Sequence, residues 1–318
     1  MKVLFVCSGN SDNNNISPIV KAQAESLVYA GNEIHFFCIK GKGLLGYIRN
    51  VIPLTKEIKK KSYNVLHAHY LLCGIVAALA VMFTKLKLIV SLMGSDVNRS
   101  FFWRNIAVTY TRLFWDATIV KSEEMKSNLG INIVEVIPNG VNLELFDEID
   151  RYNCKDKLGL LKEKKYILFA ANPEQRVKNF SLAKEACSQL TTHNSQLITL
   201  GKTPHEEIPL YINTCNVLIL TSLWEGSPNI IKEAMACNCP IVSTDVGDVR
   251  WLLGNLEGHY IAKHEPEDFA KKIKLALEYG KRTKGRDRII ELGLDSETVA
   301  KRIVEVYERV LETKRLRD

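Results

Sequence analysis

Runs of apolar, β-prone residues alternate with helical periods along almost the whole chain, and this alternation restricts the fold more than any other feature. Strands are predicted at 2–7, 33–39, 63–68, 86–92, 117–121 and 133–137, with helices beginning near Ser17, Leu45, Leu71, Asn98 and Ser122. The pattern restarts with runs at 166–170, 196–200, 216–220 and 240–243. Parallel strands need a crossover between them, so strict alternation implies parallel sheets covered by helices on both faces. A polar, charge-rich segment from Asp147 to Lys165 separates the two series. We therefore expect two Rossmann-like, doubly wound α/β domains, 1–150 and 151–298, with a linker near 150–164. A last helix, 299–318, carries Val299, Ile303, Val306, Tyr307 and Val310 on one face. Each domain would bind ligand beyond the carboxyl ends of its strands, which places the expected reaction in a central cleft between the two.

Composition narrows the partners. The 318 residues, 46% of them hydrophobic, are enough for two cores of ordinary size. The longest apolar stretch, Tyr70 to Phe83, is interrupted by Gly74. It falls short of the ~20 residues that span a bilayer and reads as a buried helix. Met1-Lys2 runs straight into the first strand with no long apolar region behind it, so a cytoplasmic protein is expected. The eight cysteines agree, being scattered singly in apolar runs, and Cys237-Asn238-Cys239 lacks the spacing and second cluster of a zinc site. Net charge is +7. The basic clusters are Lys56 with Lys59-Lys60-Lys61, Lys281-Arg282 with Lys284 and Arg286, and Lys314-Arg315 with Arg317. Singly these read as solvated helix faces; together they allow contact with an anionic membrane surface. Nucleic acid is not expected, because no basic run is interleaved with stacking aromatics. Gly41-Lys42-Gly43-Leu44-Leu45-Gly46 matches a dinucleotide-binding pattern but follows the second strand, and no acidic residue lies ~20 positions on to hold a ribose.

The densest chemistry lies at 223–237. Glu225 and Glu233 stand eight residues apart, and Glu225-Gly226-Ser227-Pro228 reads as a tight loop between a strand and a helix. Pro228 suits the first turn of that helix. The amides of Ser227, Asn229 and Ile230 would face a phosphate or a ring of hydroxyls. Asn172 to Asn179 joins the first strand of the second series to a helix at 180–190, and carries the cations Arg176 and Lys178. In the first half, Ser8 to Pro18 is an Asn- and Ser-rich loop containing Asn15, Ile16 and Ser17. His67 and His69 alternate with Ala68 and so share a face. Ser91 to Val97 contains Met93, Gly94 and Asp96, and Asn139-Gly140 is a turn signal.

The E-x7-E arrangement, with Glu-Gly-Ser-Pro-Asn before it and Glu-Ala-Met-Ala-Cys after it, resembles the nucleotide-sugar signature of glycosyltransferase family 4. Ile137-Pro138-Asn139-Gly140-Val141-Asn142 through Phe146 resembles the same family's I-P-N-G-V-D-x-x-x-F segment, with Asn142 in place of Asp. Ser91 to Asp96 resembles T-x-H-G-x-D, with Met93 where many members have a histidine. Val20 to Leu27 is similar as well, whereas the family's commoner G-R-x-x-x-x-K-G wording is absent around Arg176 and Lys178. The resemblance implies the GT-B fold, a terminal helix crossing back to the first domain, and a retaining, nucleotide-sugar-dependent glycosyltransferase. By that resemblance Arg176 and Lys178 neutralise the departing diphosphate, Glu225 binds hydroxyls of the transferred sugar and Glu233 those of the ribose. Gly226, Ser227, Pro228, Asn229, Ile230 and Asn172 complete the donor side. Asn15, Ile16, Ser17, His69, Gly94, Asp96, Asn139 and Gly140 line the acceptor side.

No D-x-D occurs in the chain, so no metal and no other cofactor is expected; the nucleotide-sugar, UDP- or GDP-linked, is a co-substrate. A saccharide or lipid-linked acceptor in cell-surface polysaccharide synthesis is expected, with the protein peripheral at the inner membrane face. The lysines at 59–61, the apolar residues Leu44, Leu45, Tyr47 and Ile48, and Phe101-Phe102-Trp103 motivate that location. Two other functions stay open from sequence: a nucleotide-sugar epimerase of the same fold, and a non-catalytic nucleotide-sugar-binding protein.

Overall fold

In the computed structural model of the chain, residues 1–10, 16–82, 84–94, 101–190, 194–201 and 203–313 are described. The chain divides into two compact units, Met1–Gly140 with Ser296–Asp318, and Val141–Asp295. Asn15 and Asp96 lie outside the described residues.

The first unit is built on six parallel strands: β1 (Lys2–Ser8), β2 (Glu33–Ile39), β3 (Val65–His69), β4 (Lys87–Ser91), β5 (Ala117–Val120) and β6 (Glu135–Val136). Their order is β2-β1-β3-β4-β5-β6. The helices are α1 (Pro18–Tyr29), α2 (Gly43–Ile48), α3 (Val51–Lys60), α4 (Leu71–Val81), α5 (Phe101–Leu113) and α6 (Glu123–Leu129). Period-two alternation explains why both sheet faces are buried. Val3, Phe5 and Cys7 of β1 belong to one core, and Leu4 and Val6 to the other. The second of these cores takes in nearly all of α4, the stretch predicted as a buried helix. The first is covered by α1 and by the terminal helix Ser296–Glu312, which buries Val299, Ile303, Val306, Tyr307 and Val310 on it.

The second unit has five parallel strands: β7 (Lys165–Phe169), β8 (Ser195–Thr199), β9 (Val217–Leu220), β10 (Ile241–Thr244) and β11 (His259–Ala262). They run in the order β11-β10-β9-β7-β8. Its helices are α7 (Arg151–Lys157), α8 (Phe180–Ser188), α9 (Ile208–Thr214), α10 (Asn229–Ala236), α11 (Val249–Leu253), α12 (Pro266–Tyr279) and α13 (Gly285–Glu291). Because β8 lies on one side of β7 and β9 on the other, the strand order reverses between β7 and β9. The loops leaving those two strands flank a crevice of the kind in which doubly wound sheets hold ligands.

The α/β class and the two parallel sheets agree with the alternation. Two details differ. β11 escapes the sequence pattern, because it is only four residues long and three of them are half-exposed. The segment predicted as a linker contains α7, whose Cys154 and Lys155 are buried. The basic cluster at 281–286 is also more than a solvated face. Arg282 donates to the carbonyls of Cys237, Ile149 and Asn213 at 3.0–3.2 Å. Arg286 donates to those of Phe146, Ala236 and Leu143 at 2.8–3.2 Å. These guanidiniums satisfy the carbonyls of Ala236 and Cys237 at the end of α10 and tie them to α9 and the 143–149 segment.

Candidate functional site

In the second unit the loops after β7 and β9 are tied together across the reversal point. Arg176–Lys178 is a single 3-10 turn ended by Asn179 in the left-handed region (φ 50°). Thr221 Oγ1 donates to the carbonyls of Lys178 and Asn179 at 2.8 and 3.1 Å, and the Leu223 amide donates to the Val177 carbonyl at 2.9 Å. These bonds seat Lys178 so that its Nζ lies 2.6 Å from Glu225 Oε1. The same oxygen accepts from Ser222 Oγ at 2.7 Å. Lys178 and Glu225 are both mostly buried, so the pair is held by hydrogen bonds in restricted solvent and not by charge alone. Arg176 is exposed and makes no ion pair among the described residues. Asn172 opens the loop: its side chain accepts from the Glu174 amide at 3.0 Å and its carbonyl from the Gln175 amide at 3.1 Å.

Beyond Glu225 the backbone enters α10. The helix begins at Asn229, and Pro228 is its N-cap with φ −71° and ψ 115°, one position earlier than the sequence suggests. The proline ring accepts that extended conformation and loses no amide bond there. The Glu225–Gly226 backbone is backed by the loop after β10. A Cβ on Gly247, whose φ is +56°, would lie 2.6 Å from the Gly226 carbonyl oxygen and 3.0 Å from that of Glu225. Gly226 is buried, while Ser227 and Ile230 are half-exposed.

Glu233 sits one turn into α10 and is buried. His205, from a 3-10 turn after β8, places Nε2 3.0 Å from Glu233 Oε1 and packs edge-on against Phe146, centroid to centroid 5.4 Å. Sequence reasoning misses His205, because nothing local in Thr-Pro-His-Glu-Glu marks it and its partner lies 28 positions away. It also misses Lys232. That side chain is wholly buried, donates to Ser227 Oγ at 3.2 Å, and is pushed down to about 8 by burial, against the opposing pull of Asp248 and Glu233. Asp248 itself is buried, on the loop that backs Gly226. Lysine and serine thus brace the loop from beneath.

In the first unit, His67 and His69 point the same way, as their alternation predicts, and stack at 4.5 Å. Their surroundings differ. His67 Nδ1 lies 2.6 Å from Tyr307 Oη of the terminal helix, and Nε2 2.9 Å from Ser91 Oγ. Among the described residues, His69 has both ring nitrogens buried without a hydrogen-bond partner. Burial, with the charge of Lys121 adding to it, holds the His69 imidazole neutral, down to about 3. Gly94 is buried with φ +106°, a conformation that favours glycine. Asn139 is buried and Gly140 half-buried just past β6. Ile16 packs against the α1 core, and Ser17 is the N-cap of α1 without a side-chain capping bond.

Among the described residues no cluster of three or more histidine, cysteine or acidic side chains could hold a metal, and no helix is long and apolar enough to cross a membrane. Two family models match the chain: Glycosyltransferase Family 4 over residues 6–145, and Glycosyl transferases group 1 over residues 191–293. An uncharacterized glycosyltransferase of Methanocaldococcus jannaschii is 25% identical over 250 residues, spanning 72% of this chain and 70% of that protein. The Escherichia coli UDP-Gal:alpha-D-GlcNAc-diphosphoundecaprenol alpha-1,3-galactosyltransferase is 23% identical over 306 residues, 80% of this chain and 78% of that one. In fold, a sucrose-phosphate synthase from Thermosynechococcus elongatus superposes with a TM-score of 0.84 at 16% identity, covering 98% of this chain and 99% of that one. The fold is GT-B, and with both of its halves matched the chain belongs to the family 4 glycosyltransferases, enzymes of glycan synthesis.

Proposed function

We propose that the protein transfers a sugar, with retention of anomeric configuration, from a UDP- or GDP-sugar to a lipid-linked or saccharide acceptor during synthesis of a cell-surface polysaccharide. The observation that carries this reading is the Lys178–Glu225–Ser222 contact at the β7/β9 reversal point, which unites a cation loop and an acidic loop over the start of α10. Glu233, oriented by His205, accepts hydrogen bonds from the ribose hydroxyls, and Glu225 takes hydroxyls of the sugar. As the bond between anomeric carbon and diphosphate breaks, the acceptor hydroxyl oxygen bonds to that carbon and yields its proton to the departing diphosphate, on which negative charge grows. Lys178, Arg176 and the amides at the start of α10 meet it there. Asn172 holds the cation loop in shape. His69, Gly94, Asn139 and Gly140, with Asn15, Ile16, Ser17 and Asp96, serve the acceptor. The relative whose name specifies UDP-Gal and a diphosphoundecaprenol-linked acceptor supports this class of substrates. We place the protein in the cytoplasm, peripheral to the membrane. With protein cations on the diphosphate, the reaction needs no metal.

The test is release of nucleoside diphosphate from UDP-, GDP- and ADP-sugars with and without acceptor. Release that depends on acceptor, survives chelator and proceeds with retention is expected. Glu233→Ala removes a hydrogen bond to a charged group worth ~1.5–3 kcal/mol, so nucleotide affinity is expected to fall at least tenfold. Unchanged affinity by titration calorimetry would refute the ribose role.

A further inference from the structure

The glycines at 41–46 have a structural use that leads to a surface. Gly41 and Gly46 pack backbone to backbone: a Cβ on Gly46 would lie 2.7 Å from the Gly41 carbonyl carbon, and one on Gly41 3.0 Å from the Gly46 Cα. Gly41 is also at φ +112°. The side chain of Asn10 clamps Gly41 on both sides, donating to its carbonyl at 2.7 Å and accepting from its amide at 2.9 Å. Asn50 clamps the other end, donating to the carbonyls of Lys40 and Gly46 at 2.9 and 2.7 Å. Tyr47 turns inward and donates to Ser8 Oγ at 3.0 Å. The loop is therefore closed by polar side chains from the end of β1 and from its own far end.

Its aliphatic side chains nonetheless stay in water. Leu44 is 49% exposed, Leu45 74%, Ile48 41% and, in α3, Ile52 69%. α3 turns Leu54 and Ile58 into the core and leaves Ile52, Lys56, Lys59 and Lys60 outside. From Lys40 to Lys61 there are seven cations and a single carboxylate, Glu57. That carboxylate is engaged by Lys61 at 3.4 Å and by Tyr63 at 3.2 Å. A polar ligand leaves the four exposed aliphatics unexplained, and a neutral apolar partner leaves the cations unexplained. An anionic bilayer accounts for both.

We propose that α2 and the outer face of α3 form a docking surface for an anionic lipid bilayer. Leu44, Leu45 and Ile52 enter the boundary between headgroups and acyl chains, and Lys56, Lys59 and Lys60 face the lipid phosphates. The surface deepens the lipid-linked-acceptor reading and rests on it for its purpose, since docking brings the enzyme to an acceptor confined to the membrane.

Flotation of the whole chain with phosphatidylcholine vesicles, with and without phosphatidylglycerol, tests it. The wild type is expected to float with the phosphatidylglycerol vesicles. Its partition should fall about tenfold in the Leu45→Glu/Ile52→Glu and Lys56→Glu/Lys59→Glu variants, and likewise in ~1 M salt, where the Debye length is ~3 Å. The variants should keep wild-type melting curves and wild-type transfer to a water-soluble acceptor. Absence of wild-type binding to phosphatidylglycerol vesicles overturns the proposal, as does equal binding by both variants and the wild type. A dimer seen by light scattering, dissolved by Leu45→Glu/Ile52→Glu in a chain that binds no vesicles, overturns it in favour of a second copy. Wild-type flotation without any sugar transfer would instead count against the proposed reaction and leave the surface standing.

Discussion

Two histidines two residues apart on β3 have opposite environments, and the difference has a measurable consequence. Among the described residues His67 is bonded at both nitrogens, His69 at neither. Burial takes the His69 imidazole from 6.5 to about 3, with Lys121 contributing. Between those values the unfolded chain binds a proton that the folded chain refuses, so stability falls as pH falls through that window. The contribution of His69 is a loss of ~2 kcal/mol by about pH 5. His69→Leu is expected to flatten the acid limb by that amount in urea unfolding followed from about pH 7 to about pH 5; an unchanged slope would show that His69 is not the group refusing the proton. Much of the candidate site could be read from sequence because it is local: Glu225, Gly226, Ser227, Pro228, Asn229, Ile230 and Glu233 form one strand-loop-helix segment. What braces it could not be read. His205 acquires its meaning from Glu233 on another element, Asp248 from the loop after β10, and Lys232 from its burial, which in sequence leaves it looking like any helix lysine.

At the level of elements, the second unit concentrates its chemistry in loops while its strands act as a frame. The loops after β7, β9 and β10 lock in series, Val177 to Leu223 by backbone and Gly247 against Gly226 by close approach. Gly247→Ala must place a methyl group against the Gly226 carbonyl at a positive φ. It is expected to cost at least about 1 kcal/mol in denaturant melts and, by displacing Glu225–Gly226, to weaken donor binding measured by calorimetry. If affinity holds while stability drops, the β10 loop is a support with no hand in the site. The frame was legible because buried parallel strands write themselves as continuous apolar runs, as Val217 to Leu220 and Val3 to Cys7 do. β11 was not, since His259 and Tyr260 give an edge strand no apolar signature. The GxGxxG match was legible as a pattern and misleading as a ligand site, because glycine serves close backbone packing as readily as phosphate contact.

At the scale of the whole molecule, the first unit is assembled from both ends of the chain. Tyr307 meets His67 across 240 positions of sequence, and the terminal helix supplies much of one core. Tyr307→Phe leaves His67 Nδ1 buried without its partner and is expected to cost ~1–3 kcal/mol. The loss should lower the melting transition of the first unit and spare that of the second, as followed by calorimetry; equal shifts in both would mean that the two units unfold as one. The chain leaves for the second unit at Val141 and returns by Asp295, and these two residues form a parallel bridge, with the Val141 amide 2.9 Å from the Leu294 carbonyl. During synthesis on a ribosome, the second unit therefore has all its strands and both its ends in hand before the first can finish. Until residues 296–312 emerge, α1 alone covers the sheet face of Val3, Phe5 and Cys7, so half of that core waits for the last stretch of chain while the second unit can already close.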